Sequence, residues 1–187
     1  MSCLSNTFII DAPNCGPKMG GIRALLWGAG ITCQGIDITP GSDYQASGFS
    51  GTFQRIPVRG SFQCVAQVNE DEGTVFYRSE FAFSPSGYHS GDPAIAYLLA
   101  AFSEMGDEDI TVLAEDWNGV CHVMGWGLPR LSGTVKRFPL WLATGQDATG
   151  TEHADRTGFD LTLASQHPLP ALRIMIENVT IANPSND

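Results

Sequence analysis

The residue pair Asn118-Gly119 constrains the fold of this chain more than any other feature, because it stands between two runs of strand-forming residues, 110–117 and 120–126. A two-residue hairpin turn needs positive φ at both central residues, and Asn-Gly is the pair that adopts this conformation most readily. The sequence therefore predicts a β-hairpin over 110–126, with Trp117 opposite Val120.

The pairing within this hairpin follows from the position of the turn. Counting outward from the turn, Asp116 stands opposite Cys121 and Glu115 opposite His122. Because side chains alternate between the two faces of a strand, Glu115 and His122 are expected to pair on one face, with Cys121 packed against the core on the other. The next expected pairs are Ala114 with Val123 and Leu113 with Met124. A lone hairpin is only marginally stable, so the rest of the chain must cover it.

The composition favours a mainly β protein. The chain has 187 residues, of which 21 are glycine and 11 proline, and 43% of its residues are hydrophobic. This content suits a globular domain with many turns and few helices. No repeat or linker divides the sequence, so a single domain over 1–187 is expected. The predicted architecture is a β-sandwich or partly closed β-barrel with one flanking α-helix.

Further strands and the single helix follow from local patterns. In residues 73–84, Val75, Tyr77, Ser79, Phe81 and Phe83 alternate with more polar residues, which predicts one buried aromatic face. The helix is predicted over 94–105, with Asp92 as its N-cap, Pro93 in its first turn and Gly106 at its end. The other strands are predicted at 20–27, 31–38, 52–58, 61–69, 131–144, 156–164 and 171–181.

Three segments are predicted to lie outside regular elements. Residues 1–19 contain a short apolar run followed by prolines and glycines, which is typical of an extended N-terminal arm. Residues 39–51 and 145–155 are polar and rich in glycine, and are predicted to be long loops. Long loops on small β domains often carry function, so both loops are candidates for contacts with other molecules.

Charge and cysteine content limit the class of protein. Ten basic against 20 acidic residues give a formal net charge of −10, which argues against a protein that grips nucleic acid through its phosphates. The five cysteines, an odd number with no CxxC pair, favour reduced thiols in a cytoplasm over a secreted disulfide framework. The N-terminus has no signal-peptide pattern, and no window is apolar enough to cross a membrane.

The sequence predicts no catalytic, cofactor or metal site. Cys121 and His122 are adjacent strand residues that point to opposite faces, so they do not form a nucleophile and base. The glycine-rich stretch 145–150 lacks the Gly-Lys-Ser/Thr ending of a phosphate loop, and 87–91 does not match a nucleophile elbow. The histidines lack metal-ligand spacing. They are His89, His122, His153 and His167.

All four tryptophans fall on predicted strands, where an aromatic ring packs well against its neighbours. They are Trp27, Trp117, Trp126 and Trp141. We expect them to pack in the core or at subunit interfaces. The sequence thus offers a β scaffold and two long loops without an active site, and a protein that is not an enzyme.

The order of these parts resembles the tail-tube-like structural proteins of tailed phages and prophages, particularly those of Bacteroidetes hosts. The resemblance spans nearly the whole chain through short motifs. A Gly-Gly-Ile strand stands at 20–22, an Asp-x-Asn-Gly hairpin at 116–119 leads into a Gly-Trp-Gly at 125–127, and an Asp-x-x-Gly-aromatic-x-Leu-Thr-Leu strand stands at 155–163. The loop 145–155 is longer than the resemblance leads us to expect.

The resemblance implies a virion structural protein that self-assembles into rings, usually hexameric, which stack into a hollow tail tube for genome passage. Its partners would be further copies and other phage tail or head proteins, with DNA only as cargo in transit and no membrane. It would be assembled in the host cytoplasm and located in the virion tail. Loops 39–51 and 145–155 would reach neighbouring subunits, and negative charge would keep DNA from sticking to the lumen.

Two alternatives stay open. The first is another virion ring or decoration protein of related fold, such as a tail terminator, a baseplate protein or a head protein. The second is a small-ligand or carbohydrate-binding β-sandwich module, which would be a monomer with exposed tryptophans along a groove. An enzyme would instead need titratable groups that converge in a pocket.

Overall fold

The computed structural model describes residues 20–37, 44–69, 74–85, 96, 98–100, 110–129, 134–149 and 157–182. The predicted arm 1–19, the caps of the predicted helix and residues 39–43 and 150–155 of the two predicted loops lie outside the described residues. His89, His153 and the stretch 87–91 also lie outside them.

Most of the described residues belong to twelve β-strands. In chain order these are β1 (Ile22–Ala29), β2 (Thr32–Asp37), β3 (Gln45–Ser50), β4 (Gln54–Asn69), β5 (Thr74–Pro85), β6 (Ile110–Asp116), β7 (Val120–Met124), β8 (Trp126–Gly127), β9 (Lys136–Arg137), β10 (Leu140–Thr149), β11 (Thr157–His167) and β12 (Arg173–Met175). A 3-10 turn, Ile176–Asn178, follows β12. The predicted mainly β fold is confirmed.

Ten of these strands form one open sheet in the order β10-β11-β5-β4-β1-β6-β7-β12-β3-β2, and β8 pairs separately with β9. β4 joins two sections of the sheet. Its residues 54–60 pair with β1 and its residues 58–69 pair with β5. The sequence predicts two strands here, 52–58 and 61–69, but Gly60 lets one strand continue through the change of partner.

The two sections face each other across the main core, as in a β-sandwich. Leu25 and Val112 of one section belong to the same buried cluster as Phe81 and Leu161 of the other. Apolar surface removed from water contributes about 25 cal/mol per Å², so this cluster supplies much of the driving force for folding. The predicted alternation in β5 is confirmed at Phe81, which is fully buried.

A second core covers the opposite face of β1, β6 and β7. Leu26 and Leu113 pack there against Phe49 of β3 and Ile174 of β12. β1 and β6 are therefore buried on both faces, which explains why residues 24–27 and 112–114 are continuous apolar runs and not an alternation.

One short helix flanks the sheet. Ala96 and residues 98–100 are helical, and Leu98 is buried in the main core, as the predicted apolar stripe requires. Among the described residues, no helix is long and apolar enough to span a bilayer.

The hairpin of β6 and β7 forms at the predicted place, but its register differs by one residue from the predicted pairing. Glu115 stands opposite Cys121, and Ala114 opposite His122. The Asp116 carboxylate accepts hydrogen bonds from the backbone N–H of Asn118, at 2.7 Å, and of Val120, at 3.0 Å. The turn therefore follows Asp116 and consists of three residues, 117–119. The last of them, Gly119, has a φ of +79°.

This register overturns the predicted pairing of Glu115 with His122. The two side chains lie on opposite faces of the sheet, because they are not opposite each other and strand side chains alternate. His122 instead stacks on Phe62, with ring centroids 4.5 Å apart. Cys121 packs in the second core, as predicted.

Several predicted boundaries are wrong. Residues 45–50 of the predicted loop 39–51 form β3, because Ala46 and Phe49 are buried while β2 supplies its antiparallel partner. Residues 145–149 of the predicted loop 145–155 continue β10 along β11. The strand predicted at 131–144 is divided between β9 and β10, and the one at 171–181 is shortened to β12.

We expect the substitution Gly119→Val to destabilise the protein by about 1–2 kcal/mol, since positive φ strains a β-branched residue. The new side chain would also approach Ile176, whose Cγ2 would lie 3.4 Å from the Cβ at residue 119. Urea unfolding measures this loss. Gly20→Val is the control, because a Cβ there meets no atom within 4 Å. Equal stability of the two variants would contradict this account of the turn.

Candidate functional site

The most exposed part of the sheet is the far end of β4 and β5. We call residues 65–69 and 74–78 the β4–β5 overhang. β1 pairs with β4 only as far as Gly60, and β11 pairs with β5 only as far as Tyr77. Nine residues of β4 follow Gly60, which corresponds to roughly 30 Å of extended strand. The overhang therefore projects past β1 on one side, and its residues 74–76 project past β11 on the other.

Apolar side chains of the overhang are open to solvent on both faces. Val68 and Val75 stand opposite each other and are 62% and 36% exposed, respectively. Val65 is on the other face and is 51% exposed. Valine is common in strands because it packs against neighbours, and here the described residues supply few. Exposed apolar side chains on both faces make the overhang a candidate site of contact with another molecule.

Within the described residues, the sheet ends at β10 on one side and at β2 on the other. β10 runs for ten residues and pairs only with β11, and Leu142 near its start is 37% exposed. An edge strand presents unpaired backbone donors and acceptors, which can accept a strand from another chain. β10 is thus the second surface suited to assembly.

A buried ion-pair cluster ties three neighbouring strands together. The Glu115 carboxylate of β6 is fully buried. The guanidinium of Arg55 on β4 donates to its Oε2, with Nε 2.9 Å and Nη2 2.8 Å away. Arg23 on β1 donates to Oε1, with Nε 2.9 Å away. Each carboxylate oxygen therefore accepts hydrogen bonds from its own arginine. The side chain of Arg23 is 32% exposed and that of Arg55 is 42% exposed.

Two cavities lie in the described part of the fold. One of about 420 Å³ is mostly apolar and is lined by Val75, Phe76, Phe138, Pro139 and His167, among others. The other, of about 390 Å³, is lined by aromatic and polar side chains that include Tyr44, Phe62, Tyr77, His122 and Arg173. Neither of these two cavities has a tryptophan in its lining.

Burial perturbs the pKa of two side chains, Cys121 and His167. Burial raises the pKa of Cys121 to about 12, so the thiol is not ionised at neutral pH. His167 is buried at the end of β11, and its Nε2 lies 2.7 Å from the Ser165 hydroxyl. Ser165 is itself fully buried. Within the described ranges, no three His, Cys, Asp or Glu side chains are grouped so that they could hold a metal ion.

Acid should destabilise the protein through His167. Burial lowers the pKa of this imidazole to about 4 from its ordinary 6.5. Between pH 6.5 and 4, His167 therefore binds a proton in the unfolded state but not in the folded state. The free energy of unfolding falls as the pH drops through this range. We expect this group alone to cost about 2 kcal/mol between pH 7.5 and 5. Urea unfolding against pH would show a flatter profile for His167→Gln, and identical slopes would contradict the prediction.

The four tryptophans divide into buried and exposed residues. Trp27 and Trp126 are buried, and the Trp126 indole N–H donates to Thr111 at 2.7 Å, so core packing is confirmed for both. Trp141 on β10 is partly exposed. Trp117 is 49% exposed and lies in the hairpin turn, not on the predicted strand.

The sequence does not indicate the exposed overhang or the edge strand β10. The predicted contact loops, 39–51 and 145–155, include strands. The overhang, by contrast, is predicted only as part of two ordinary strands of the sheet. The available signal for the overhang is the length of the two strands predicted at 61–69 and 73–84. Both are longer than the strands that are needed to cover the core. Neither a protein family, nor a curated protein, nor a solved structure matches this chain. The candidate site is therefore defined by the chain's own surfaces.

Proposed function

We propose that this protein is a virion structural subunit that self-assembles into stacked rings, forming the tail tube through which a phage genome passes. The observation that carries the proposal is the β4–β5 overhang, in which Val65 is 51% and Val68 is 62% exposed. Further copies of the chain are the partners that would bury these side chains. The sequence resemblance to tail-tube-like proteins supports the same conclusion.

Open sheet edges fit this function. β10 and β2 are opposite ends of one sheet, so pairing between copies would be heterologous and would repeat around a ring. Closing the ring removes the free edges that would otherwise aggregate. The tube formed by the stacked rings would be part of the virion. Other tail or head proteins would contact its ends.

Assembly should depend on the apolar side chains of the overhang. We expect the double substitution Val65→Lys/Val68→Lys to abolish large assemblies in light scattering at concentrations where the wild type forms them. Exposed substitutions change folding stability by about 0.5 kcal/mol or less, so circular dichroism should show a folded protein. Burying a lysine charge at an interface is costly, which is why assembly is lost.

Met175→Lys is the matched control, since Met175 is also exposed, at 40%, but lies on β12. This variant should assemble as the wild type does. Normal assembly by Val65→Lys/Val68→Lys would remove the overhang from the proposed interface. A related ring or decoration protein of the virion is the closest alternative, and it would form single rings or bind a capsid without stacking.

The cavity beside Phe62 and His122 is the one observation that favours a ligand-binding module. Its volume of about 390 Å³ and its aromatic lining suit a small molecule. A monomer that is stabilised by a soluble sugar or another small ligand in a thermal-shift series would favour this second function over the tube.

A further inference from the structure

The side chains of β4 become smaller along its core face, and a cavity begins where they do. Phe62 packs against the main core. Because side chains alternate along a strand, Cys64 and Ala66 follow Phe62 on the same face. Cys64 fills less space than Phe62, and it lines the cavity of about 390 Å³. The two sections of the sheet therefore leave a space between them at this end of the sandwich.

Both sections of the sheet form walls of this cavity. Phe62, Cys64 and Tyr77 belong to β4 and β5. His122 of β7 and Arg173 of β12 belong to the facing section, where they stand opposite each other. The rings of Phe62 and His122 are stacked with 18° between their planes, which joins the two sections. The cavity is thus a cleft between packed strands and not a depression on a single strand.

The lining of the cleft is rich in aromatic rings. Four of the eight lining residues that the structure describes carry one, and these are Tyr44, Phe62, Tyr77 and His122. All four residues are partly buried. Aromatic rings attract a further ring through offset-stacked or edge-to-face contacts, which add to the effect of area burial. A flat aromatic ligand therefore suits the cleft better than a flexible alkyl chain.

The polar groups of the cleft favour a ligand that accepts hydrogen bonds. Because Arg173 stands opposite His122, its side chain lies on the same face of the sheet, toward the cleft. A guanidinium group only donates hydrogen bonds, and its planar geometry matches that of a carboxylate. Among the eight described lining residues, none is acidic.

The acidic residues of the elements around the cleft lie elsewhere. Glu115 is on the opposite face of the sheet from His122. Asp116 is on the His122 side of the hairpin, but its carboxylate accepts hydrogen bonds from the backbone of the turn. Glu80 alternates with Tyr77 and Phe81 and pairs with Arg78. None of these three acidic side chains lines the cleft.

We propose that this cleft binds a small aromatic carboxylate, with the ring between the aromatic walls and the carboxylate at Arg173. The inference rests on the second candidate function, whose ligand it names, and it does not depend on tube assembly. Hydrogen bonds between charged groups are about twice as strong as neutral ones, so Arg173 is expected to contribute most of the selectivity. An aromatic amine should bind poorly, because it brings a cation to a guanidinium group.

Three probe molecules test the ligand class: benzoate, benzylamine and cyclohexanecarboxylate. Titration calorimetry of the full chain, at a concentration below that at which assemblies form, gives the dissociation constants. We expect benzoate to bind with a constant of about 1 mM or lower. Benzylamine, which carries the opposite charge, should bind at least about tenfold more weakly. Cyclohexanecarboxylate, which keeps the charge but lacks the aromatic ring, should bind about threefold to tenfold more weakly.

Two substitutions test whether benzoate binds in the cleft. We expect Arg173→Gln to weaken benzoate binding by at least about tenfold, and Phe62→Leu to weaken it by about threefold or more. Arg59→Gln is the matched control, because it removes the same charge from an exposed residue of β4 that does not line the cleft. This variant should bind benzoate as the wild type does. Thermal unfolding without ligand shows which variants are folded, and Arg173→Gln alone decides if Phe62→Leu is not.

The outcomes separate this inference from the functions proposed above. Equal benzoate binding by the wild type and Arg173→Gln would overturn the cleft as the site, and tighter binding of benzylamine than of benzoate would overturn the ligand class. Binding of a soluble sugar without any binding of benzoate would overturn the inference and leave the second candidate function standing. Binding of neither would overturn both. Electron microscopy tests tube formation separately.

Discussion

Replacing Gly60 by valine is expected to destabilise the protein by about 3 kcal/mol or more, the largest effect of any single substitution considered for this fold. A Cβ at this position would collide with the backbone oxygen of Ala82, and it would lie 2.8 Å from the Cβ of Phe83. Both atoms belong to β5, which is paired there with β4 and cannot move without breaking the ladder.

The reason for this sensitivity is the double pairing of β4. Gly60 is opposite Ile22 of β1 on one side and Phe83 of β5 on the other, at the point where the strand passes between the two sections of the sheet. A side chain would force the sections apart and open the main core. Ser61→Val tests this reason, because Ser61 is exposed and should tolerate valine. Urea unfolding measures the loss of stability in both variants. A similar small loss in both would contradict this reason for the sensitivity of Gly60.

Removing the Glu115 carboxylate, with Glu115→Ala, is expected to cost about 3 kcal/mol. The residue is fully buried, and its loss leaves Arg23 and Arg55 without their partner and a cavity between three strands. Because both arginines reach solvent, the penalty falls at the lower end of the range for broken buried ion pairs. Thermal unfolding should show a clearly lowered midpoint.

Glu80→Ala is the matched comparison for Glu115→Ala. Glu80 also pairs with an arginine, Arg78 at 2.8 Å, but both side chains are partly exposed. Ion pairs of this kind contribute from about 0 to 1 kcal/mol, so the variant should unfold close to the wild-type temperature. Equal losses at Glu80 and Glu115 would show that burial is not what makes the Glu115 cluster important.

Much of the fold could be predicted from local patterns because those patterns record burial directly. The alternation in β5 predicts the buried face that Phe81 occupies, and the continuous apolar run at 112–114 accompanies a strand buried on both faces. The stripe containing Leu98 likewise predicts the helix that covers the main core. These signals depend on which side chains leave water, and the sequence contains that information.

The hairpin register could not be predicted in the same way, because one side chain decides it. Asn118-Gly119 is compatible with a two-residue and a three-residue turn. The Asp116 carboxylate accepts two backbone N–H groups and so selects the longer turn. A shift of one residue then places Cys121 opposite Glu115 and His122 on the other face of the sheet. Asp at the first turn position was the available signal.

The exposure of the overhang could not be predicted for a different reason. The overhang has the same alternating composition as a strand inside a core, and only tertiary structure reveals that no further strand of the described ranges covers residues 65–68. Conversely, residues 45–50 were read as a loop because glycine and serine dominate there. They form β3 since β2 lies beside them and Phe49 fills the second core.

Negative-stain electron microscopy of the purified protein across a concentration series, with the mass measured by light scattering, tests the central proposal most directly. The account predicts rings of uniform diameter that stack into hollow tubes as the concentration rises, with masses that are multiples of 20.1 kDa. A folded particle of one copy at every concentration, with no rings, would contradict it.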